Sequence, residues 1–279
     1  MDYAIPIKPG SKVKLDKYDP SFNAGLSKAE GQQLLDEIGL QLDELQELMF
    51  ASGQTSVLLI LQGLDTSGKD GAIRSLLHYI NMQSCRVANF KVPTTQELSH
   101  DFLWRIHPHA PEKGAMTIFN RSHYEDILAV RVRNLAPQKI WRPRFDHINN
   151  FERLLTENGT LILKFFLYIS PEEQKERLIA REEDPVKAWK LNVGDWEERR
   201  YWNDYIKAYE DVLTRCNTSY APWYIVPANR KWYRNLAIAQ TLLNTLKPYR
   251  GRWMAGLKKL GVERRRELDA WRAGQNEAT

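Results

Sequence analysis

The sequence predicts an α/β protein in which a parallel sheet is covered on both faces by helices, and three observations predict it. Val57-Leu58-Leu59-Ile60-Leu61 is apolar at every position, as in a strand buried in the middle of a parallel sheet. A glycine-rich turn follows it at once. From there to about residue 247, apolar strand-like runs alternate with segments of helical period, the order of βα units. The 279 residues, 43% hydrophobic and 27% charged, suit one large domain or two small ones and exclude a disordered chain. No repeat or low-complexity segment interrupts the pattern. One core domain with a helical insertion near 177–215 is the simplest architecture.

In chain order, residues 1–26 are rich in Pro, Gly and Lys and read as an extended arm laid on the surface. Ser27-Lys28-Ala29-Glu30 has a hydroxyl at N-cap and a carboxylate three residues later, a capping box. A helix follows to about Met49, burying Leu34, Leu35, Ile38, Leu42 and Leu45. After the central strand and its turn, a second helix buries Ala72, Ile73, Leu76, Leu77 and Ile80. Further strands are expected at Arg86–Val92, Ala115–Phe119, Thr160–Ile169 and Trp223–Val226. Helices are expected at about 95–106, 122–134, 144–158, 171–183, 196–215 and 230–247. Gly159 stands where a helix ends in a left-handed residue. Pro171 stands just inside a helix start, where its missing N–H costs little.

No signal peptide opens the sequence, and the longest apolar stretch, Leu161–Ile169, is interrupted by Lys164 and too short to span a bilayer. Cys85 and Cys216 do not make a disulfide framework and fit a reducing cytoplasm. The net charge is +5. Arg250–Arg272 holds eight basic and three acidic residues, which accounts for the whole surplus. A basic helical tail over 251–279 is expected, either a solvated face or a polyanion contact. Flat aromatic helices and a wrapped arm predict self-association, as a dimer or tetramer.

The strongest motif is Gly63-Leu64-Asp65-Thr66-Ser67-Gly68-Lys69-Asp70, a G-x-x-x-x-G-K loop between a buried strand and an amphipathic helix. Gly63, Thr66, Ser67 and Gly68 would turn backbone N–H groups toward phosphate oxygens at a helix N-terminus. Lys69 supplies a compact positive charge. Asp70 stands where such loops carry a metal-binding Ser or Thr, and Asp65 adds a second carboxylate. Carboxylates repel phosphates unless a cation lies between, so Asp65 is a magnesium ligand candidate, directly or through water; the alternative is a loop-structuring side chain. Asp70 also suits a first helical turn in its own right. At the end of the next motif strand, Met116-Thr117-Ile118-Phe119-Asn120-Arg121-Ser122, Asn120 occupies the place of a metal-binding acid and Arg121 is set to reach transferring phosphate, or a surface salt bridge.

Between 177 and 200 lie Arg177, Arg181, Lys187, Lys190, Arg199 and Arg200. Arg177 and Arg181 share a helix face, and Asp184-Pro185 breaks that helix. The segment reads as a lid that closes cations over phosphates, with a solvated charged face as the alternative. Tyr201, Trp202, Tyr205, Ile206, Tyr209, Val212 and Leu213 form a core stripe on the next helix.

Taken together, the P-loop, Pro93-Thr94-Thr95, Phe102-Leu103-Trp104-Arg105, Phe119-Asn120-Arg121-Ser122-His123-Tyr124, Asp184-Pro185-Val186-Lys187-Ala188-Trp189-Lys190 and Ala221-Pro222-Trp223-Tyr224 resemble the polyphosphate kinase 2 family. The likeness runs from about residue 27 to 250. It implies a three-layer P-loop kinase fold like thymidylate kinase, with a helical lid at about 177–200. It implies magnesium-dependent, reversible transfer between inorganic polyphosphate and nucleoside mono- and diphosphates of adenine or guanine, with no nucleic acid or membrane partner. Asp65 would bind magnesium, with Asn120 in place of the usual acid. Lys69, Arg121, Arg181, Lys187 and Lys190 would contact phosphates. Asn-Arg-Ser-His-Tyr-Glu is similar to the branch that accepts both monophosphates and diphosphates. The rival readings are an ATP-dependent P-loop kinase of nucleotides or small metabolites and a nucleic-acid-binding protein using the tail.

Overall fold

The computed structural model describes residues 2–186 and 193–276. A six-stranded sheet runs in the order β1 (Ile5–Pro6), β6 (Trp223–Pro227), β5 (Thr160–Tyr168), β2 (Ser56–Gln62), β4 (Met116–Asn120), β3 (Cys85–Asn89). Neighbours from β6 to β3 are parallel, as expected. The exception is β1, which pairs antiparallel with β6. The arm therefore does more than wrap the surface. It covers an edge whose N–H and C=O groups would otherwise lie open, and it buries Tyr3, Ala4, Ile7, Val13 and Leu15.

The helices among the described residues are α1 (Lys28–Ser52), α2 (Lys69–Leu77), α3 (Thr95–Leu98), α4 (Glu125–Val132), α5 (Gln138–Trp141), α6 (Arg144–Glu157), α7 (Pro171–Glu182), α8 (Val193–Glu198), α9 (Trp202–Arg215), α10 (Lys231–Leu246) and α11 (Arg250–Asn276). They form two layers. Side chains alternate across a strand, so Val57, Leu59 and Leu61 pack with α1, α2 and α10, whereas Leu58 and Ile60 pack with α4, α6 and α9. This is why β2 is apolar throughout.

Local signals landed where expected. Ser27 and Glu30 form a reciprocal capping box. Gly159 takes a φ of 90° behind α6, and Pro171 opens α7 behind a Ser170 cap. The helix expected over 95–106 is cut short at Leu98. Asp101 accepts the Leu103 N–H at 2.9 Å, a side-chain turn that competes with helix. The helix expected over 196–215 is broken by a 3₁₀ turn at Arg199–Tyr201.

β2 lies between β5 and β4, and the chain leaves it toward one side and returns on the other. That reversal opens a crevice at the carboxyl ends of β2 and β4. α11 starts at the opposite end of the sheet. Its Trp253 is buried there and donates to Thr55 Oγ1, just before β2. Among the described residues, no helix is long and apolar enough to cross a membrane.

Candidate active site

The P-loop fills the crevice. Its glycines are set by close approach and by backbone sign. A Cβ on Gly63 would lie 2.8 Å from the Leu167 carbonyl oxygen. Gly68 caps α2 with a φ of 97°, and a Cβ there would strike the Arg234 guanidinium. Thr66 holds a left-handed φ of 61° without being glycine. Arg177 braces the loop from behind. Its Nη1 donates to the Thr66 and Ser67 carbonyls at 2.9 and 3.1 Å, and its Nη2 to Ala228 and Asn229. The Ser67 carbonyl is thereby held outward, so the Gly68 N–H of the same trans peptide points the other way. Arg177, which the sequence grouped with lid cations, is a buttress. Thr66 Oγ1 and Ser67 Oγ are buried with no protein partner among the described residues.

Lys69 is only 8% exposed. Its ammonium folds back on the Gly63 and Leu64 carbonyls at 2.7 and 3.2 Å. Burial and the nearby Arg121 charge bring its pKa down to about 8, resisted by Asp65, Glu125 and Asp70. Arg121 also sits at a left-handed φ of 61°, its N–H held by the Leu61 carbonyl at the end of β2. Its Nη2 meets Asp65 Oδ1 at 2.7 Å. The Glu125 and Asp65 charges hold the guanidinium proton tightly against burial. Asp70 accepts from Asn120 Nδ2 at 2.8 Å, and Asn120 also donates to Asn89 Oδ1 at 2.9 Å. The adjacent strands β2, β4 and β3 thus bring Asp65, Lys69, Asp70, Asn120 and Arg121 into one cluster.

Two cations, Lys69 and Arg121, and two carboxylates, Asp65 and Asp70, converge on a glycine-rich loop between β2 and α2. The model of the polyphosphate kinase 2 family matches residues 25–252. The chain belongs to the polyphosphate kinase 2 family. It is 48% identical over 244 residues to an AMP/ADP-polyphosphate phosphotransferase of Meiothermus ruber, covering 86% of this chain and 91% of that one. An ADP-polyphosphate phosphotransferase of Rhodopseudomonas palustris is 42% identical over 253 residues, with 85% and 86% covered. The crystal structure of polyphosphate kinase 2 from Arthrobacter aurescens TC1 superimposes with a TM-score of 0.83 at 44% identity, covering 86% of this chain and 87% of that one. The three-layer α/β fold expected from the sequence is the fold of this kinase family.

Within this kinase fold, Arg181 reaches across to Asp195 Oδ2 at 2.6 Å, joining α7 to α8. Burial, with the Asp65 charge next, raises the Asp195 carboxyl, which puts this pair beside the P-loop acids. Arg199 turns back onto α7, to the Pro171 carbonyl and Gln174 Oε1. Lys187 and Lys190 lie outside the described residues.

Two charged residues at the site were not singled out from the sequence. Glu125 opens α4 five residues past Asn120. Burial raises its carboxyl against the pull of Arg121 and Lys69, and the Gln62 amide nitrogen, in its better-satisfied orientation, donates to Glu125 Oε1 at 3.1 Å. Arg234 of α10 is 3% exposed beneath Gly68 and Gly71, bonded to Asn235 Oδ1. Burial and Arg177 lower its pKa to about 10. A cation inside the apolar Tyr233–Leu236–Ala237 stripe was the available signal for it. Beside Asp70 and Asn120 opens a cavity of about 500 Å³, with Ile73, Leu77 and Val87 on its apolar wall and Arg74, His78 and Asn89 among its polar residues.

The donor set suits magnesium. Among the described residues no group of three or more His, Cys, Asp or Glu could hold a metal by itself. A magnesium ion carried on phosphates needs only one or two carboxylates, and Asp65 and Asp70 are hard oxygen donors at the loop that would hold those phosphates.

Proposed function

We propose that this chain transfers the terminal phosphoryl group of inorganic polyphosphate to AMP and ADP, and to the corresponding guanine nucleotides, reversibly and with magnesium, in the cytoplasm. The observation that carries this reading is Lys69. It is a buried cation whose protein partners are two neutral carbonyls and a few carboxylates at a distance, so an anionic ligand at the loop completes it. The unit that does this work is residues 27–250, with a lid at about 177–200.

The acceptor is a terminal phosphate oxygen, already anionic at neutral pH, so no general base is required. His123, the histidine beside Arg121, is buried against Glu152 in the core. What the protein must do is align two polyanions and neutralise charge as the phosphoryl group passes. Gly68 and the head of α2 hold phosphate oxygens. Lys69 and Arg121 stabilise charge on the transferring group, and Asp65 keeps Arg121 aimed. Asp65 would hold magnesium, which when bound would lower the repulsion between phosphates, and Asn120 orients Asp70. Arg181, Lys187 and Lys190 would contact phosphates of the donor chain. The cavity beside Asp70 takes the acceptor's nucleoside, its apolar wall against the base. One phosphoanhydride is broken and one is made, so the direction follows concentrations.

The test is incubation with long-chain polyphosphate, magnesium and each of AMP, ADP, GMP and GDP. ATP formed from AMP supports the reading. Phosphorylation that needs ATP and ignores polyphosphate would establish the rival ATP-dependent kinase.

A further inference from the structure

Arg234 carries a charge that its surroundings do not offset. It stands in the apolar face of α10, where Tyr233, Leu236 and Ala237 are also buried. Its Nε and Nη2 donate to Asn235 Oδ1 at 3.0 and 2.7 Å, a neutral acceptor one residue on. Arg105, buried almost as deeply, is paired with Asp126 at 3.2 Å. The neighbouring Arg177 is paired with Glu173 at 2.6 Å. Among the described residues Arg234 has no such carboxylate.

Its place adds two unfavourable charges to the cost of burial. One is the Arg177 guanidinium, of like sign. The other is the head of α2, where the helix dipole turns its positive end toward Arg234. Two glycines make room for the side chain there. A Cβ on Gly68 would strike Arg234 Nη1, and one on Gly71 would lie 3.1 Å from Nη2. Gly68 has a left-handed φ to account for it, but Gly71 has not. Glycine inside a helix is less stable than alanine, and the contact with Arg234 is what keeps position 71 small. An anion seated on the loop reverses the balance, because Arg234, Arg177 and the helix end then share a partner of opposite sign.

We infer that Arg234 is a positioning residue for the phosphate donor: its charge, fixed beneath Gly68 and Gly71, strengthens the loop's hold on the phosphates above it. Buried under the loop, it acts without touching the chain. This rests on the proposed reading of the loop as the seat of polyphosphate. Lys69 and Arg121 act on the phosphoryl group that moves. Arg234 lies behind the loop, so its field bears alike on the bound donor and on the transition state. Binding of that uniform kind lowers KM and leaves kcat unchanged.

Arg234→Met removes the charge and keeps most of the stem. Its KM for long-chain polyphosphate, read from ATP made from ADP with magnesium, should rise roughly tenfold or more, the scale of one partly buried charge acting on another. Its kcat should stay within about twofold of wild type. Arg234→Gln can still bond Asn235 and should show the same KM. Arg234→Lys restores a cation and should recover most of the loss. Without ligand, Arg234→Met should melt at the wild-type temperature or above. Polyphosphate with magnesium, and no nucleotide, should raise that temperature less than it raises the wild type. An unchanged KM in Arg234→Met and Arg234→Gln overturns the inference, as does a kcat that falls as far as KM rises. So does a lower unliganded melting temperature with polyphosphate affinity kept, which is the mark of a purely structural arginine. Wild type that makes ATP from polyphosphate while these variants keep its KM defeats the inference alone. Wild type that makes none, and gains no thermal stability from polyphosphate, defeats the proposed function with it.

Discussion

Lys69 and Lys164 are both buried lysines, one at the head of α2 and one in the middle of β5, and they are compensated in opposite ways. Lys164 is fully buried and saturated. Its ammonium donates to Glu152 Oε2 at 2.5 Å, to the Cys216 carbonyl at 2.6 Å and to the Tyr124 hydroxyl at 3.0 Å. Burial pushes the Glu152 carboxyl up, but the Lys164 charge and His123 outweigh it and hold the group below its usual range. Among the described residues Lys69 bonds only to carbonyls of its own loop, and its pKa falls to about 8. A buried charge that the fold satisfies completely is part of the structure. One that the fold satisfies in part has capacity left for a ligand of opposite sign.

Removing each lysine's function separates the two cases. Lys69→Met and Arg121→Ala should each cost on the order of 10³-fold or more in turnover, the scale of losing a charge-stabilising cation in phosphoryl transfer. Lys69→Met should melt at the wild-type temperature or above at neutral pH, because it removes a charge whose burial is not offset. A polyphosphate-to-ATP assay and a thermal melt on the same sample check both halves. Near-normal turnover in either variant removes the proposed site.

Glu152→Ala is the mirror case. It leaves Lys164 charged and unpaired, and should cost about 3–5 kcal/mol of stability. Urea unfolding measures it. Combining Glu152→Leu with Lys164→Met removes both charges and should recover a large part of the loss; no recovery would mean that the pair does more than compensate itself.

The lowered pKa of Lys69 gives a pH signature. The ammonium is the active form, so kcat/KM should fall as pH rises through about 8, approaching tenfold per pH unit. The stability effect has the opposite sign. Between about 8 and the ordinary value of 10.5 the unfolded chain holds a proton that the folded chain has released, so this group makes stability rise with pH across that window. Lys69→Arg keeps a cation of much higher pKa and should abolish the alkaline limb. A limb that stays in Lys69→Arg belongs to another group.

The smallest effect is at Asn120. Its amide joins Asp70 to Asn89, and Asn120→Ala removes two hydrogen bonds worth about 1 kcal/mol each. The expected readout is a roughly five- to tenfold higher magnesium requirement, seen in a magnesium titration of the initial rate. An unchanged requirement would separate Asn120 from Asp70.

Much of this was legible from local pattern. The apolar run of β2, the capping box at Ser27, Gly159 and the P-loop spacing are properties of neighbouring residues, so they survive without tertiary information. Glu125 and Arg234 were not legible as site residues. Each is an ordinary charged residue on a helix, and only packing brings one beside Arg121 and the other beneath Gly68. Arg177 was read as a lid cation because helical spacing pairs it with Arg181. The fold instead turns it onto four carbonyls. The arm was read as extended on the surface; Ile5 and Pro6 instead pair with β6, more than two hundred residues away, and no local signal names that partner.

Lys69 and Lys164 mark the same boundary. The expectation of a phosphate site around Lys69 rests on local spacing alone, because a glycine-rich turn at the head of a helix presents backbone N–H groups that the helix itself does not satisfy. Lys164 stood in the sequence only as an interruption of an apolar strand. That one lysine is completed and the other is not depends on Glu152, Tyr124 and Cys216 arriving from three other segments. Charge compensation falls off over a few ångströms, so it belongs to the folded arrangement and not to the order of residues along the chain.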